Sequence, residues 1–382
     1  MKDLSGGTTV QLKRPQRITL VISSLGRGGA ERVAVDLCGF LAKSGRDVSV
    51  LTLSGDDHDA YDLTASVGRR RMEIRRDAKS RFQSVRFTIS HLTEMRRNII
   101  ALKPDVVLSF IDQTNIRTIA CLVGSGIPVL VSERIHPAHH PIPRFWACLR
   151  RIVYRFASAL IVQNDNIAGW FRKSVPARRL VIIPNAVRDS TFLGDHRTRV
   201  DGPIILGMGR LVKQKGFDLL LRAFAKAKLA DDGWRIVILG EGEDRQALAQ
   251  LSDDLGVLKS VETPGYVTNV SDWILRSSIF ALPSRYEGFP NALLEAMQLG
   301  TACVSFDCPS GPGDLIVDGN NGLLVSPGDV DAFSEALRKL ALNRPLRERL
   351  AREAAKVAGT FSINRIYGLW VETLDSVYQR RL

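Results

Sequence analysis

Residues 279–300 read IFALPSRYEGFPNALLEAMQLG. The first five are an apolar run closed by a proline, the form of a short strand buried on both faces. A polar loop follows, and then a ten-residue helix is expected over 290–299. Pro290 suits the first turn, where its fixed φ and missing N–H cost nothing, and Gly300 suits the C-terminal cap. Strand, tight loop and helix together make half of a βαβ unit. In such a unit the free N–H groups of the helix start, around Phe289 to Ala292, face the carboxyl edge of a parallel sheet, and with the positive helix end they form an anion site. Glu287 in the loop and Glu295 on the helix flank that site. Carboxylates accept hydrogen bonds from paired hydroxyls, so the arrangement suits a ligand with phosphates in the middle and a polyol at each end.

The same alternation runs outward in both directions. Strands are expected at 18–23, 48–52, 106–110, 128–132, 160–163 and 181–183, and again at 204–208, 235–239, 279–283, 302–305 and 322–325, with helical spacing between them. Such alternation predicts an α/β protein of two doubly wound, Rossmann-like halves. We assign them to residues 1–190 and 200–360, joined through the polar, aperiodic segment 186–202. Residues 361–382 carry Ile366, Leu369, Leu374 and Val377 at helical spacing, predicting an amphipathic helix that packs back on the first half.

In the second half, residues 207–216, GMGRLVKQKG, follow a strand and precede a helical run. Arg210 and Lys215 stand in this glycine-bounded loop, where two cations can converge on a diphosphate.

Composition narrows the class. The chain has 382 residues and a formal net charge of +13. Its apolar runs fall far short of the ~20 residues of a membrane helix, and its start lacks the long apolar core of a signal peptide. Cys38, Cys121, Cys148, Cys303 and Cys308 are scattered without zinc-like or disulfide-like spacing, which fits a reducing cytoplasm. The positive charge concentrates between Arg69 and Arg97, where Arg69, Arg70 and Arg71 lead a run of basic residues; it asks for an anionic partner.

The ordered motifs GGAERV (28–33), PNAV (184–187), GRLVKQKG (209–216), LGEGEDR (239–245), PSRYEGFPNALLEAMQLGTACVS (283–305) and NGLLVSPGD (321–329) resemble the retaining glycosyltransferases of family 4, the GT-B type that builds bacterial polysaccharides, lipopolysaccharide cores and glycolipids. The resemblance implies that the first half binds the acceptor and the second a nucleotide-diphosphate sugar, UDP- or GDP-linked. Arg210 and Lys215, in the loop opened by Gly209, would hold the donor diphosphate. Glu287 would bind the transferred sugar and Glu295 the ribose. The backbone of Gly288, Phe289, Pro290, Asn291 and Ala292 would meet the sugar and distal phosphate. Gly240 and Gly242 would let the nucleotide approach, Tyr266 and Val267 would read the base, and Gly28 and Gly29 would close over the phosphates. At the end of a first-half strand, SERIHP (132–137) offers Glu133, Arg134 and His136 to the cleft, with His136 the candidate near the anomeric carbon.

A nucleotide sugar already carries a good leaving group, so two cations and a helix end can serve without a metal or other cofactor. No DxD motif stands at a strand end in a donor-like context. The implied reaction transfers a hexose or N-acetylhexosamine, with retention, to a lipid-linked saccharide or glycolipid. The basic and aromatic segment RFWACLRRIVYRF (144–156), with Arg150 and Arg151, and the Arg69 to Arg97 stretch would contact anionic lipid or a lipid diphosphate at the inner face of the cytoplasmic membrane. A solvated helix face over a buried aromatic stripe explains the same residues equally well. Two rival readings are weaker. A nicotinamide-dependent oxidoreductase needs GxGxxG, and GMGRLV and GRGGAE both fail at the third glycine. A protein that binds anionic lipid or nucleic acid without transferase activity would use the basic charge, but no aromatic interleaving of a nucleic-acid module accompanies it.

Overall fold

The computed structural model describes residues 14–26, 28–54, 59–72, 81–187 and 202–381. Part of the basic stretch, 73–80, and most of the expected linker, 188–201, lie outside the described residues.

The first sheet contains β1 (Arg17–Ile22), β2 (Asp47–Thr52), β3 (Val67–Arg71), β4 (Val106–Phe110), β5 (Val129–Ser132), β6 (Ala159–Val162) and β7 (Leu180–Ile182), in the order β3-β2-β1-β4-β5-β6-β7. The second contains β8 (Gly202–Met208), β9 (Arg235–Leu239), β10 (Val261–Gly265), β11 (Ser277–Leu282), β12 (Ala302–Phe306) and β13 (Leu323–Val325), in the order β10-β9-β8-β11-β12-β13. Every pairing is parallel. The strand order reverses between β1 and β4 and between β8 and β11. Ligands of doubly wound sheets bind in the crevices that open at such switch points.

Each sheet is covered on both faces, so its strands alternate between two cores rather than between core and water. On β1, Ile18, Leu20 and Ile22 point to one core and Val21 to the other. On β8 and β9, Ile205, Ile236 and Ile238 face one way and Ile204, Leu206, Val237 and Leu239 the other.

Among the described residues, eleven of the thirteen strands answer to stretches expected from sequence; β3 and β10 do not. They occupy the same topological place, the outer edge beside β2 and β9. An edge strand buries little. In VGRRR only Val67 is buried, and in VETPG only Gly265. Neither carries the apolar run by which a buried strand is recognised.

The chain leaves the first half through Val187, whose N–H donates to the Phe361 carbonyl at 2.8 Å, so the outgoing and returning strands of the connection run side by side. The last helix, Ile363–Gln379, then lies on the first sheet beside the helix Gly29–Lys43. Its Ile366, Tyr367, Trp370, Leu374 and Val377 join the core of β1 and β4, with Trp370 stacked on Phe110 at 5.7 Å.

Candidate active site

The helix expected over 290–299 forms as Asn291–Gln298, with Pro290 as its N-cap and Gly300 left-handed beyond its end at φ +66°. It follows β11 through the loop 283–289. Gly216 fixes the neighbouring loop against this one: its φ is +68°, and a Cβ there would lie 2.0 Å from the Pro283 carbonyl oxygen. That contact sets Lys215 beside the start of the helix. Lys215 Nζ meets Glu287 Oε1 at 2.7 Å, and the Ser284 hydroxyl donates to the same oxygen at 2.6 Å. Glu287 is buried, so its carboxylate stands in a low-dielectric site with a matched cation.

Arg210 lies exposed in the same loop as Lys215. The glycines at 240 and 242 stand where the loop after β9 meets the loop after β8. A Cβ at Gly240 would fall 2.0 Å from the Gly209 carbonyl oxygen, and one at Gly242 would fall 2.2 Å from that of Leu211. They hold the loops after β8 and β9 against one another. Tyr266 follows β10 and is exposed, while Val267 packs on the second domain's core.

The two domains touch through polar groups across the crevice. Arg134, buried at the end of β5, donates to Asn185 Oδ1 and to Ser132 Oγ, and Gln163 Nε2 donates to the same Asn185 oxygen at 3.2 Å. Asn185 Nδ2 in turn donates to Asn291 Oδ1 at 2.6 Å. Asn164 caps the helix Asp165–Phe171 by accepting from the Ile167 N–H, and its Nδ2 donates to the Gly288 carbonyl at 3.3 Å. The backbones are pressed so closely that a Cβ on Gly288 would lie 2.2 Å from the Arg134 carbonyl oxygen. Burial lowers the Arg134 guanidinium to about 10. The loop of Gly28 and Gly29 opens the helix Gly29–Lys43, and a Cβ on Gly29 would stand 3.2 Å from Asn291 Nδ2. From that helix Arg32 Nη2 reaches Glu295 Oε1 at 2.5 Å.

The sequence singles out Arg134, Asn291, Gly288 and Glu295 but not their partners, Asn185 for the first two, Asn164 for Gly288 and Arg32 for Glu295. Asn164 was readable as an N-cap before a helix. Asn185 lies in PNAV, one of the motifs that carry the family resemblance.

His136 is buried beside this network. Its Nδ1 accepts from the Ala138 N–H at 3.1 Å, which leaves Nε2 to carry the proton of a neutral ring. Burial, with His139 nearby, lowers its pKa and favours that neutral form. His139 stacks on Tyr286 of the second domain, ring centres 5.4 Å apart, so rings from both sides close the cleft next to Glu287.

Two residues expected to serve an acceptor or a membrane are placed otherwise. Glu133 is buried against the Tyr154 hydroxyl, which donates to it, and burial pushes its carboxyl up to about 7. Arg150 is also buried, its guanidinium over the ring of Trp170 at 4.8 Å. The pair belongs to the first domain's packing because the helix Arg144–Val153 turns that side inward. Arg151 is exposed, as are Arg70 and Arg71 on β3; Arg69 and Arg71 are ion-paired with Asp59. Among the described residues no cluster of three His, Cys, Asp or Glu side chains is arranged to hold a metal, and no helix is long and apolar enough to cross a membrane.

Two Rossmann-like domains with parallel sheets, meeting across a crevice at the switch points of those sheets, define the GT-B class. The sequence matches the family Glycosyltransferase Family 4 over residues 27–191 and the family Glycosyl transferases group 1 over residues 190–357. The chain belongs to these glycosyltransferases. It is 28% identical over 94% of its length to 99% of the GalNAc-α-(1→4)-GalNAc-α-(1→3)-diNAcBac-PP-undecaprenol α-1,4-N-acetyl-D-galactosaminyltransferase of Campylobacter jejuni. It is 24% identical over 91% of its length to 96% of the amylovoran biosynthesis glycosyltransferase AmsD of Erwinia amylovora. Its fold matches that of Anabaena HepE in complex with UDP and glucose, with a TM-score of 0.77 and 15% identity over 94% of this chain and 99% of that one.

Proposed function

We propose that this glycosyltransferase moves a hexose or N-acetylhexosamine from a UDP- or GDP-linked donor to a lipid-linked saccharide or glycolipid, with retention and without a metal, at the inner face of the cytoplasmic membrane. The observation that carries the donor assignment is the convergence of Lys215 and Glu287 at the start of the helix Asn291–Gln298. In this reading the diphosphate lies along Arg210 and Lys215, and their charge, with the helix end, stabilises the leaving group as the glycosidic bond to it breaks. Glu287 accepts hydrogen bonds from hydroxyls of the transferred sugar, and Glu295 from the ribose. Gly28 and Gly29 cover the phosphates from the opposite domain, and Tyr266 and Val267 lie along the base. His136, neutral and donating through Nε2, faces the sugar from the acceptor side.

The acceptor assignment draws on the relatives' lipid-linked substrate and on one surface of the first domain. Along residues 144–156 the exposed stripe alternates Arg144, Phe145, Arg151, Ile152, Arg155 and Phe156. Apolar tips between arginines suit the headgroup boundary of an anionic bilayer.

The test is transfer itself. The purified chain, in EDTA, is offered a panel of UDP- and GDP-sugars with a short saccharide on polyprenyl diphosphate, and the product's linkage is read by NMR. A product of retained configuration is expected; inversion, or activity abolished by EDTA, would overturn the corresponding part of the reading.

A further inference from the structure

The turn that follows β4, at the switch point of the first sheet, is strained. Ile111 has φ +74° and ψ 139°. Such a backbone is uncommon for any residue but glycine, and for a β-branched side chain it is an outlier. Three hydrogen bonds hold it. The Ile111 N–H donates to the Ser132 carbonyl at 3.2 Å, the Ile111 carbonyl accepts from the Asn115 N–H at 2.8 Å, and Asn115 Nδ2 donates to the same Ser132 carbonyl at 2.9 Å. The ends of β4 and β5 are thereby tied together, and the next residue, Asp112, opens the helix Asp112–Leu122. Strain that the surroundings hold in place concentrates at functional sites.

Asp112 is an enclosed acid. Its side chain is 10% exposed, and the hydrogen bond it accepts among the described residues comes from its own neighbour, the Gln113 N–H, at 2.5 Å. His140 Nε2 lies 3.6 Å from Asp112 Oδ2, past hydrogen-bond length. Arg117, on the same helix, lies over the Trp146 ring, 4.8 Å from its centre. A carboxylate offers about four acceptor positions, so Asp112 has capacity for further donors. The pair lies at the crevice. His139, adjacent to His140, stacks on Tyr286, and Tyr286 is followed by Glu287, the carboxylate assigned to the transferred sugar. Asp112 and His140 therefore belong to the first domain's wall beside the sugar position, where an acceptor has to arrive.

We infer that Asp112 binds the acceptor: its carboxylate accepts hydrogen bonds from hydroxyls of the acceptor's terminal sugar, with the exposed His140 ring at the mouth of the same subsite. The inference rests on the transferase reading above and adds to it the residue that recognises the sugar being extended. A carboxylate selects free hydroxyls over ether or carbonyl oxygens, which bring it no proton. Neither Asp112 nor His140 belongs to the motifs that carry the family resemblance, so the donor machinery does not account for them.

Steady-state transfer by the full chain tests it, with UDP- and GDP-sugars and a panel of short saccharides on polyprenyl diphosphate, beside calorimetry with UDP and GDP. Asp112→Asn keeps the size of the side chain and replaces the charged acceptor by an amide. For the saccharide that wild type extends, KM should rise about tenfold or more, the loss of one charge-assisted hydrogen bond. KM for the donor and Kd for its nucleoside diphosphate should stay as in wild type, a split that a purely structural role would not produce. An unchanged acceptor KM overturns the inference and leaves the transferase reading standing, and so does a loss shared equally by acceptor and donor. If wild type extends none of the saccharides, the transferase reading fails on its acceptor side and this inference with it. Should Asp112→Asn not fold, His140→Ala decides, at a side chain 54% exposed: a raised acceptor KM supports the subsite, and an unchanged one refutes it.

Discussion

Lys215 and Glu287 lie 72 residues apart in sequence and meet at 2.7 Å, the cation from the loop after β8 and the carboxylate from the loop after β11. The two strands are neighbours at the switch point of the second sheet, so the pair exists only because the strand order reverses there. Glu287 is also held by Ser284, so its carboxylate keeps a hydrogen-bond donor besides Lys215. Glu287→Ala should therefore reduce kcat about a hundredfold or more while nucleoside diphosphate affinity changes little, as steady-state kinetics and calorimetry on the same preparation will show.

Lys215→Ala should act on binding. Losing a charge-assisted contact to phosphate costs about 1.5–3 kcal/mol, or roughly tenfold or more in Kd. The deficit should shrink as salt is raised, because the remaining attraction is screened.

Asn185 bridges Arg134 of one domain and Asn291 of the other. Asn185→Ala leaves Arg134 buried with Ser132 as its remaining hydrogen-bonded side chain, at a cost of about 1–3 kcal/mol in stability. Because the same residue steadies the start of the donor helix, KM for the donor should rise as well. Urea denaturation read beside donor kinetics separates the two effects, and a change in stability alone would confine Asn185 to a structural role.

Glu133 gives a dependence on pH. Burial raises its carboxyl to about 7 in the folded chain, against 4.5 ordinarily. The folded state therefore holds a proton that the unfolded state has already released between these values. Stability contributed by the neutral acid is complete below the unfolded value and is lost as pH rises through the folded one. Thermal unfolding of wild type should fall between pH 5 and 7 relative to Glu133→Gln, whose curve lacks this component. Parallel curves would place the proton elsewhere.

How much of this was legible in the sequence depended on burial. Strands covered on both faces, such as 106–110 and 279–283, declare themselves as apolar runs. The edge strands β3 and β10 do not, because their stability comes from pairing with β2 and β9 rather than from their own side chains. Within the site, the placement of Arg210, Lys215, Glu287 and Glu295 could be read because each sits in a loop, or on the short helix that follows one, whose geometry follows from neighbouring glycines and prolines. The contacts of Arg32 with Glu295, of Asn164 with Gly288 and of Asn185 with Asn291 could not, since each joins one domain to the other and local spacing carries no record of them. Arg150 shows the converse. It reads as one of several surface arginines, yet its position on the helix turns it onto Trp170. Arg150→Gln should accordingly lower thermal stability without changing attachment to vesicles, whereas Arg151→Glu should weaken pelleting with anionic liposomes at low salt and leave stability unchanged.

In the reading proposed above, the crevice of the second domain binds a nucleoside diphosphate through Lys215 and Glu295. Calorimetric titration with UDP and GDP in EDTA, on wild type, Lys215→Ala and Glu295→Ala, tests it most directly. One nucleotide should bind wild type and bind both variants more weakly with their folds intact. Equal affinity in all three folded proteins would contradict it.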